Sequence, residues 1–294
     1  MGFVLGAFIM AVFAGEYKPR GGSSPLIRFF LGLFAMIGAL IFLGCPWRAL
    51  LRLAAGDGNA ILGLLGLAIG IFVGILFLKK GFSLGRSYSQ AKAGGWIMPG
   101  LMVGLLLMLV FQVSFTPGGP IFFSAKGPGS MHAPLWVSLI AGLIIGALAQ
   151  RSRFCTMGAL RDVMLTKDFH LISGVFALLV FAFAANLILG QFKAGFEGQP
   201  VAHTNHLWNF LGMSLSGLAF ALAGGCPGRQ LFLSGEGDAD AGVFVLGMIT
   251  GAAVSHNFAM ASSSKGVAAF GPIAVIIGIA FCLIVGFTII QRTK

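Results

Sequence analysis

Two of the four cysteines, Cys45 and Cys226, lie in matching pentapeptides, GCPWR and GCPGR. Proline has its φ fixed near the helical value and lacks an N–H, so Pro46 and Pro227 each predict the first turn of a helix with the cysteine at its cap. A thiol there faces the positive end of the helix dipole and unpaired backbone amides. Such a position favours thiolate character or the close approach of an anion.

An arginine follows each of these cysteines by three residues, Arg48 in the first motif and Arg229 in the second. This spacing is about one helical turn, which places each guanidinium on the face of its cysteine. Two interpretations stay open: the arginines balance an incoming anion, or they extend to the membrane interface. For the motif as a whole, the alternative is a small-residue break in which cysteine acts as a small hydrophobe.

A third cysteine, Cys155, lies in QRSRFCTMGALRD between Arg153 and Arg161. A thiol beside two guanidinium groups has a chemical reason to bind an anion, whereas Arg153 alone is also typical of a charge that orients a helix end. The candidate anion-contacting cysteines are therefore Cys45, Cys226 and Cys155. The supporting candidates are Gly44, Pro46, Arg48, Gly225, Pro227, Arg229, Arg153 and Arg161.

The elements that position these residues are membrane helices, because 57% of the 294 residues are hydrophobic and only 9% are charged. A soluble domain could not cover itself with so little polar surface. We predict an all-α integral membrane protein with about nine transmembrane helices. The apolar stretches lie at 2–14, 25–44, 59–78, 97–115, 133–149, 171–190, 207–224, 241–261 and 267–290. The first has no Lys or Arg before it, so we expect a retained span rather than a signal peptide.

The net charge of +11 comes from Lys and Arg residues that lie mostly in the loops between the apolar stretches. By the positive-inside rule, their distribution predicts an N-terminus outside and a C-terminus in the cytoplasm. No basic run with interleaved aromatics and no glycine-rich phosphate loop is present, so we expect no nucleic-acid partner and membrane lipid instead. Because no CxxC pair occurs, we expect no metal site; we also expect no cofactor and no enzyme activity.

An internal repeat links the two cysteine motifs, because the similarity continues downstream at a constant offset of 181 positions. GDGNA at 56–60 falls on GDADA at 237–241. We predict repeat units at about 25–81 and 205–266 within a single transmembrane transporter domain, 1–294. The motifs follow spans five apart, so the repeats would be inverted, an architecture typical of transporters. The nine residues WRALLRLAA after the first motif predict a short re-entrant helix.

Several other residues carry structural expectations. Asp57, Asp238 and Asp240 are expected to terminate or cap helices. His256 and Asn257 lie within an apolar stretch, where polar groups are costly in lipid, so they are expected to face the protein interior.

Small residues in the third stretch predict close helix packing; they are Gly63, Gly66, Gly70 and Gly74. Cys282 lies in a uniformly apolar stretch and is expected to serve packing only.

The paired GCPxR motifs, the following GDx[ND]A and the segment RSRFCTMGALRD resemble the YeeE/YedE family of bacterial inner-membrane proteins, most closely its YedE selenium-transporter branch. The resemblance implies a bundle of nine helices with short helices that dip in from both sides. It also implies an inner-membrane permease that passes a small selenium- or sulfur-containing anion inward by a relay of Cys45, Cys226 and Cys155. A cytoplasmic sulfur-carrier protein is the partner that it implies.

Three alternatives stay open at this point. The first is a thiosulfate transporter of the same family, which would use the same thiols. The second is a membrane thiol oxidoreductase, in which two cysteines approach closely enough to cycle through a disulfide. The third is a membrane scaffold that transports nothing.

Overall fold

The structure is a computed structural model, and it describes residues 1–113, 130 and 132–290. Over these residues the regular structure is helical except for two strands of two residues each. In chain order the elements are α1 (Gly2–Phe13), β1 (Arg20–Gly21), α2 (Pro25–Phe42), α3 (Pro46–Ala54), α4 (Asn59–Lys79), β2 (Tyr88–Ser89), α5 (Lys92–Val110), α6 (Leu135–Ser152), α7 (Thr156–Thr166), α8 (His170–Ile188), α9 (His206–Ala223), α10 (Pro227–Gly235), α11 (Ala239–Asn257) and α12 (Gly271–Thr288).

The long helices confirm the predicted all-α integral membrane protein. Eight helical segments among the described residues are long and apolar enough to cross a membrane. The remaining predicted stretch, the one at 2–14, corresponds to α1, which is apolar but has only 12 residues. At 1.5 Å per residue it spans about 18 Å, less than the roughly 30 Å of hydrocarbon. The fourth stretch was predicted to end at 115, and its last two residues lie outside the described part of the chain.

A short helix follows each cysteine motif, as the prolines predict. The helices α3 and α10 have nine residues each, so each spans about 14 Å, roughly half the hydrocarbon thickness. The eleven-residue helix α7 begins directly after Cys155. It was not predicted, because Thr156 stands where the two motifs have proline.

The helix boundaries repeat along the chain. The order of long helix, short helix and long helix occurs as α2–α3–α4 and again as α9–α10–α11. The first two helices of each set begin and end at positions that differ by the same 181 residues, and the third begins within one residue of that offset. The repeated local structure supports the internal repeat, while its inverted relation stays a prediction.

By its contacts the chain divides into two compact units. Unit 1 comprises Met1–Gly22, Ser87–Arg153 and Leu231–Gly242. In this unit α1 packs against α6 at close range: a Cβ added at Gly6 would meet the backbone of Leu143, and one added at Gly146 would meet that of Phe3. The strands β1 and β2 pair antiparallel in the same unit.

Unit 2 comprises Ser23–Arg86, Phe154–Gln230 and Val243–Lys294, and it contains all four cysteines. Its centre is formed by α4 and α9, which approach so closely that only glycine fits at several positions. A Cβ at Gly66 would meet the Phe210 carbonyl, and one at Gly70 would meet the Ser214 carbonyl. This packing confirms the role expected for the glycines of the third stretch.

Candidate functional site: three cysteines at the starts of short helices

Each of the three candidate cysteines immediately precedes a short helix. Cys45 is the N-cap residue of α3 and Cys155 is that of α7. Cys226 is followed directly by α10. The first amides of a helix have no intrahelical partner, so each thiol lies beside backbone N–H groups that can donate hydrogen bonds to an anion. The structure confirms the cap position predicted for Cys45.

Cys155 and Cys226 are brought close together. Their thiols are near enough to influence each other's charge, and the backbone amide of Cys226 faces the Cys155 sulfur. The Thr156 hydroxyl and amide in turn face the Cys226 sulfur. The Gly158 N–H donates to Cys155 Sγ at 3.2 Å. The first turn of α7 and the start of α10 therefore meet at a pair of thiols, with Cys226 fully buried and Cys155 5% exposed.

Cys45 lies beside this pair but is less enclosed. Its thiol is close to the amides of Trp47 and Arg48, and Cys226 is near enough to interact with it electrostatically. Together with Pro227, Cys45 lines an apolar cavity of about 100 Å³. This cavity leaves Cys45 half-buried, whereas the other two thiols are buried.

The walls around the thiols are apolar and aromatic. The rings of Trp47 and Phe154 meet edge to face at 5.3 Å between centroids, and Gly228 lies against the Trp47 indole so closely that a Cβ there would approach it to 2.7 Å. A second cavity of about 120 Å³ lies between Pro46 and Thr156. An anion at this site would therefore meet few fixed dipoles besides the thiols, the helix-start amides and the side chains of Thr156 and Gln230.

The two motif arginines have different surroundings. Arg48 is exposed and Arg229 is half-buried. Gly44 and Gly225 allow these side chains to fold back toward the cysteines: a Cβ at Gly44 would lie 3.0 Å from Arg48 Cδ, and one at Gly225 would lie 3.4 Å from Arg229 Cγ. That the glycine, proline and arginine of each motif support anion binding stays a prediction.

The other two predicted arginines make ion pairs. In unit 1, Arg153 Nη2 lies 3.1 Å from Glu16 Oε2, and Arg153 Nη1 lies 3.6 Å from Glu236 Oε2. The Gln150 amide donates to Glu16, and together with the arginines it holds the pKa of Glu16 below its usual value. In unit 2, Arg161 Nη2 pairs with Asp162 at 2.8 Å.

The expectations for the remaining polar residues have mixed outcomes. Asp57 accepts from the Asn59 N–H at 2.9 Å, which confirms its capping role at the start of α4. His256 and Asn257 were expected to face the interior, and this prediction was wrong. Both are exposed, because α11 ends at Asn257 and the two side chains lie at the helix terminus.

Sequence reasoning missed two polar groups next to the thiols. Thr156 faces Cys226, and only its place after Cys155 could have signalled it. Gln230 lies one turn after Cys226, is 1% exposed, and its Oε1 atom has no hydrogen-bond partner. Within the described residues, no group of three His, Cys, Asp or Glu side chains is arranged to hold a metal ion.

Fold and site together define a multi-pass membrane protein with thiols at the starts of short helices. Residues 151–290 match the family model described as "Sulphur transport". The thiosulfate transporter TsuA of Spirochaeta thermophila is 35% identical over 105 residues, which are 35% of this chain and 31% of that protein. TsuA of Escherichia coli is 29% identical over 108 residues, 36% of this chain and 30% of that protein.

These matches confirm the resemblance to YeeE/YedE family membrane transporters that was drawn from the cysteine motifs. The aligned region spans less than a third of the length of either TsuA protein. The family match includes Cys155 and Cys226 and begins after Cys45.

Proposed function

We propose that this protein is a permease for a small sulfur-containing oxyanion, with thiosulfate as the first candidate. The observation that carries the proposal is that three cysteines stand directly before short helices, with the Cys155 and Cys226 thiols close to each other and Cys45 beside them. The similarity to two thiosulfate transporters supports thiosulfate over a selenium compound.

The chemistry of the site suits the terminal sulfur of thiosulfate. A thiol is polarisable and a weak hydrogen-bond donor, so it matches a soft sulfur atom better than a hydroxyl does. Helix-start amides stabilise the negative charge without adding a fixed cation. Transport requires a site that also releases its ion, and thiols that stay protonated in an apolar setting would bind weakly enough for that.

The substrate would pass from Cys45 to the buried pair Cys226 and Cys155. We place the protein in the bacterial inner membrane with its N-terminus outside and its C-terminus in the cytoplasm, so that uptake is inward. A small cytoplasmic sulfur-carrier protein is the proposed acceptor on the inner side. The support for this arrangement is the distribution of Lys and Arg and the family resemblance.

The direct test is uptake of [³⁵S]thiosulfate by cells that lack their own uptake system and express this chain. We expect Cys45→Ala, Cys226→Ala and Cys155→Ala to abolish uptake while the protein stays in the membrane. Cys282→Ala is the matched control, because Cys282 is buried in α12 away from the other thiols. Wild-type uptake in any of the three variants would disprove the relay.

The same assay addresses the substrate. Unlabelled selenite and selenosulfate would compete with thiosulfate if the site accepts selenium, as the YedE branch implies. Competition by thiosulfate alone would assign the site to sulfur.

A second function, membrane thiol oxidoreductase, is favoured by the same proximity of Cys155 and Cys226. In that case the two thiols would lose two electrons and two protons to a quinone-class acceptor and form a disulfide. Mass spectrometry of alkylated protein from working cells measures the bond. A Cys155–Cys226 disulfide that forms and is reduced during turnover would support the oxidoreductase, and thiols that stay reduced throughout would support the permease.

A further inference from the structure

A separate cavity of about 240 Å³ lies in unit 2 and is lined by two arginines, Arg28 and Arg161. The rest of its lining comes from the last residues of α9, the end of α4 and the loop that follows α4. Of the residues that line it, none is acidic. Its volume is many times the 10–15 Å³ that one water centre needs, so an oxyanion with several waters fits.

Arg28 is held rigidly at this cavity. Its Nε donates to the Ser23 carbonyl at 2.9 Å and to Ser23 Oγ at 3.0 Å, while Nη1 donates to the Ala223 carbonyl at 3.1 Å. Ala223 ends α9 and comes three residues before Cys226. The guanidinium therefore links the cavity to the loop that carries the buried thiol. A preorganised cation loses little conformational entropy when an anion binds.

Arg161 connects the cavity to the other buried thiol. It lies on α7 six residues after Cys155, a distance of about 9 Å along the helix axis. Its Nε and Nη2 atoms both lie 2.8 Å from Asp162 Oδ1, which fixes the plane of the guanidinium. Arg28 lies on α2 and contacts the end of α9, just before Cys226, whereas Arg161 lies on the helix that follows Cys155, and both line this cavity.

We propose that this cavity is a second anion subsite, which binds a divalent sulfur oxyanion next to the Cys155–Cys226 pair. The subsite deepens the proposed permease function and rests on it for its role in transport. Guanidinium groups bind the oxygen atoms of an oxyanion through charge-assisted hydrogen bonds, whereas the thiols suit its soft sulfur. The cavity would therefore bind the oxygens of thiosulfate and the thiols its terminal sulfur, at successive points along its path. A purely structural role for the arginines, as a helix cap and a local ion pair, is the competing explanation.

The test separates guanidinium binding from thiol binding by using sulfate, which has oxygens but no terminal sulfur. Purified full-length protein is titrated with sulfate at constant ionic strength, with chloride as the balancing anion, and its melting temperature is measured. Binding to the folded state stabilises it by RT ln(1 + [L]/Kd), so the melting temperature rises with sulfate concentration and its dependence on concentration gives Kd. We expect concentration-dependent stabilisation of the wild type and of Cys226→Ala, and at least about tenfold weaker sulfate affinity in Arg161→Gln, equal to the loss of one strong charge-assisted contact.

Three further variants complete the design. Arg28→Gln is expected to weaken sulfate binding as well, and Arg161→Lys is expected to keep part of it, because the charge remains while the planar fork is lost. Lys79→Gln removes one exposed charge at the end of α4 and should bind sulfate as the wild type does. Equal sulfate affinity in the wild type, Arg161→Gln and Arg28→Gln would overturn the subsite, as would a wild type that binds no sulfate.

Uptake measurements keep the two proposals distinguishable. If the wild type binds sulfate through Arg161 but takes up no thiosulfate, the permease function fails and the anion subsite stands. If Arg161→Gln takes up thiosulfate with unchanged KM and kcat and binds sulfate normally, the subsite fails and the permease function stands.

Discussion

The two copies of the cysteine motif make the same two contacts, one to a helix-end carbonyl and one to an aspartate carboxylate, with different arginines. In the first copy a single residue makes both contacts. Arg52 Nη1 donates to the Phe42 carbonyl at the end of α2 at 2.8 Å, and Arg52 Nε pairs with Asp57 at 2.7 Å. The pair is almost completely buried, with the side chains 7% and 3% exposed.

In the second copy two arginines from elsewhere in the chain divide these contacts. Ala223, which is equivalent to Phe42, has its carbonyl held by Arg28 at 3.1 Å. Asp238, which is equivalent to Asp57, pairs with Arg20 at 2.7 Å. This pair is more open, with the side chains 35% and 13% exposed.

The difference shows how one repeated segment supports two roles. The first copy closes on itself, and its thiol at Cys45 faces a small apolar cavity. The second copy takes its cations from other segments, which brings Arg28 to a polar cavity, and its thiol at Cys226 is joined by Cys155. We therefore interpret the first copy as the point of access and the second as the narrow, selective point.

The largest expected effect is the loss of thiosulfate transport when serine replaces Cys226 or Cys45. A serine hydroxyl is harder and shorter than a thiol, and at the buried Cys226 neither water nor a mobile neighbour can compensate. We expect Cys226→Ser to reduce kcat/KM for thiosulfate by about a hundredfold and Cys45→Ser by about tenfold, a difference of about 1.4 kcal/mol in transition-state free energy. Uptake kinetics at matched protein levels measure both. Equal losses would remove the functional difference between the copies.

The next largest effect is on the free energy of unfolding, and it compares Asp57 in the first copy with Asp238 in the second. Asp57→Asn keeps the oxygen that caps α4 but leaves the Arg52 charge buried without its counter-charge, which costs about 3–5 kcal/mol. Asp238→Asn breaks a partly exposed pair, which costs at most about 1 kcal/mol. Melting temperatures of the purified variants in one detergent compare them. A larger loss for Asp238→Asn would contradict the greater enclosure of the first copy.

Much of this arrangement follows from local sequence, and the rest does not. The prolines after Cys45 and Cys226 predict helix starts, because proline constrains its own backbone, and the constant offset of the repeat predicts equivalent short helices. The helix after Cys155 has no such residue and was not predicted. The contact of Cys155 with Cys226 joins positions 71 residues apart, so it depends on tertiary packing that neither motif encodes.

The contacts of Arg52 and Arg20 could not be predicted from the sequence for the same reason. A repeat with one offset implies that Asp57 and Asp238 have similar partners. The residue equivalent to Arg52 in the second copy is Leu233, so the partner of Asp238 had to come from a distant segment, and nothing in the sequence near Asp238 identifies Arg20.

A smaller effect compares the motif arginines. Arg48 is exposed, so Arg48→Gln should raise KM about threefold by weakening the attraction of an anion, with little change in kcat. At high ionic strength the difference in KM between the wild type and Arg48→Gln should vanish. The Debye length is about 10 Å at 0.1 M salt, and the interaction between exposed charges farther apart than this is largely screened. The effect of Arg229→Gln should persist in salt, since Arg229 is half-buried. Uptake at two ionic strengths measures both variants, and a salt-sensitive Arg229→Gln effect would contradict the assignment.

The smallest expected effect is a pH dependence that belongs to the first copy alone. His203 Nε2 donates to the Ile41 carbonyl at 2.7 Å, and its Nδ1 accepts from the Asn205 N–H at 3.2 Å, so the ring is held in its neutral form. Burial is the main cause that lowers the pKa of His203; the nearby Arg52 lowers it further, while Asp57 opposes this.

The direction in which stability changes with pH follows from proton binding. Because the folded pKa lies below the unfolded value of about 6.5, the unfolded chain binds more protons in the interval between them. The stability that His203 contributes is therefore complete above about pH 6.5 and is lost as the pH falls through the folded pKa. At the end of α9 the carbonyl of Ala223, the residue equivalent to Phe42, is held by Arg28, which stays charged throughout this range. We expect His203→Gln, whose amide can make both hydrogen bonds without titrating, to show a smaller fall in melting temperature between pH 7 and pH 5 than the wild type. An unchanged pH profile in this variant would show that the pH dependence arises outside the first copy.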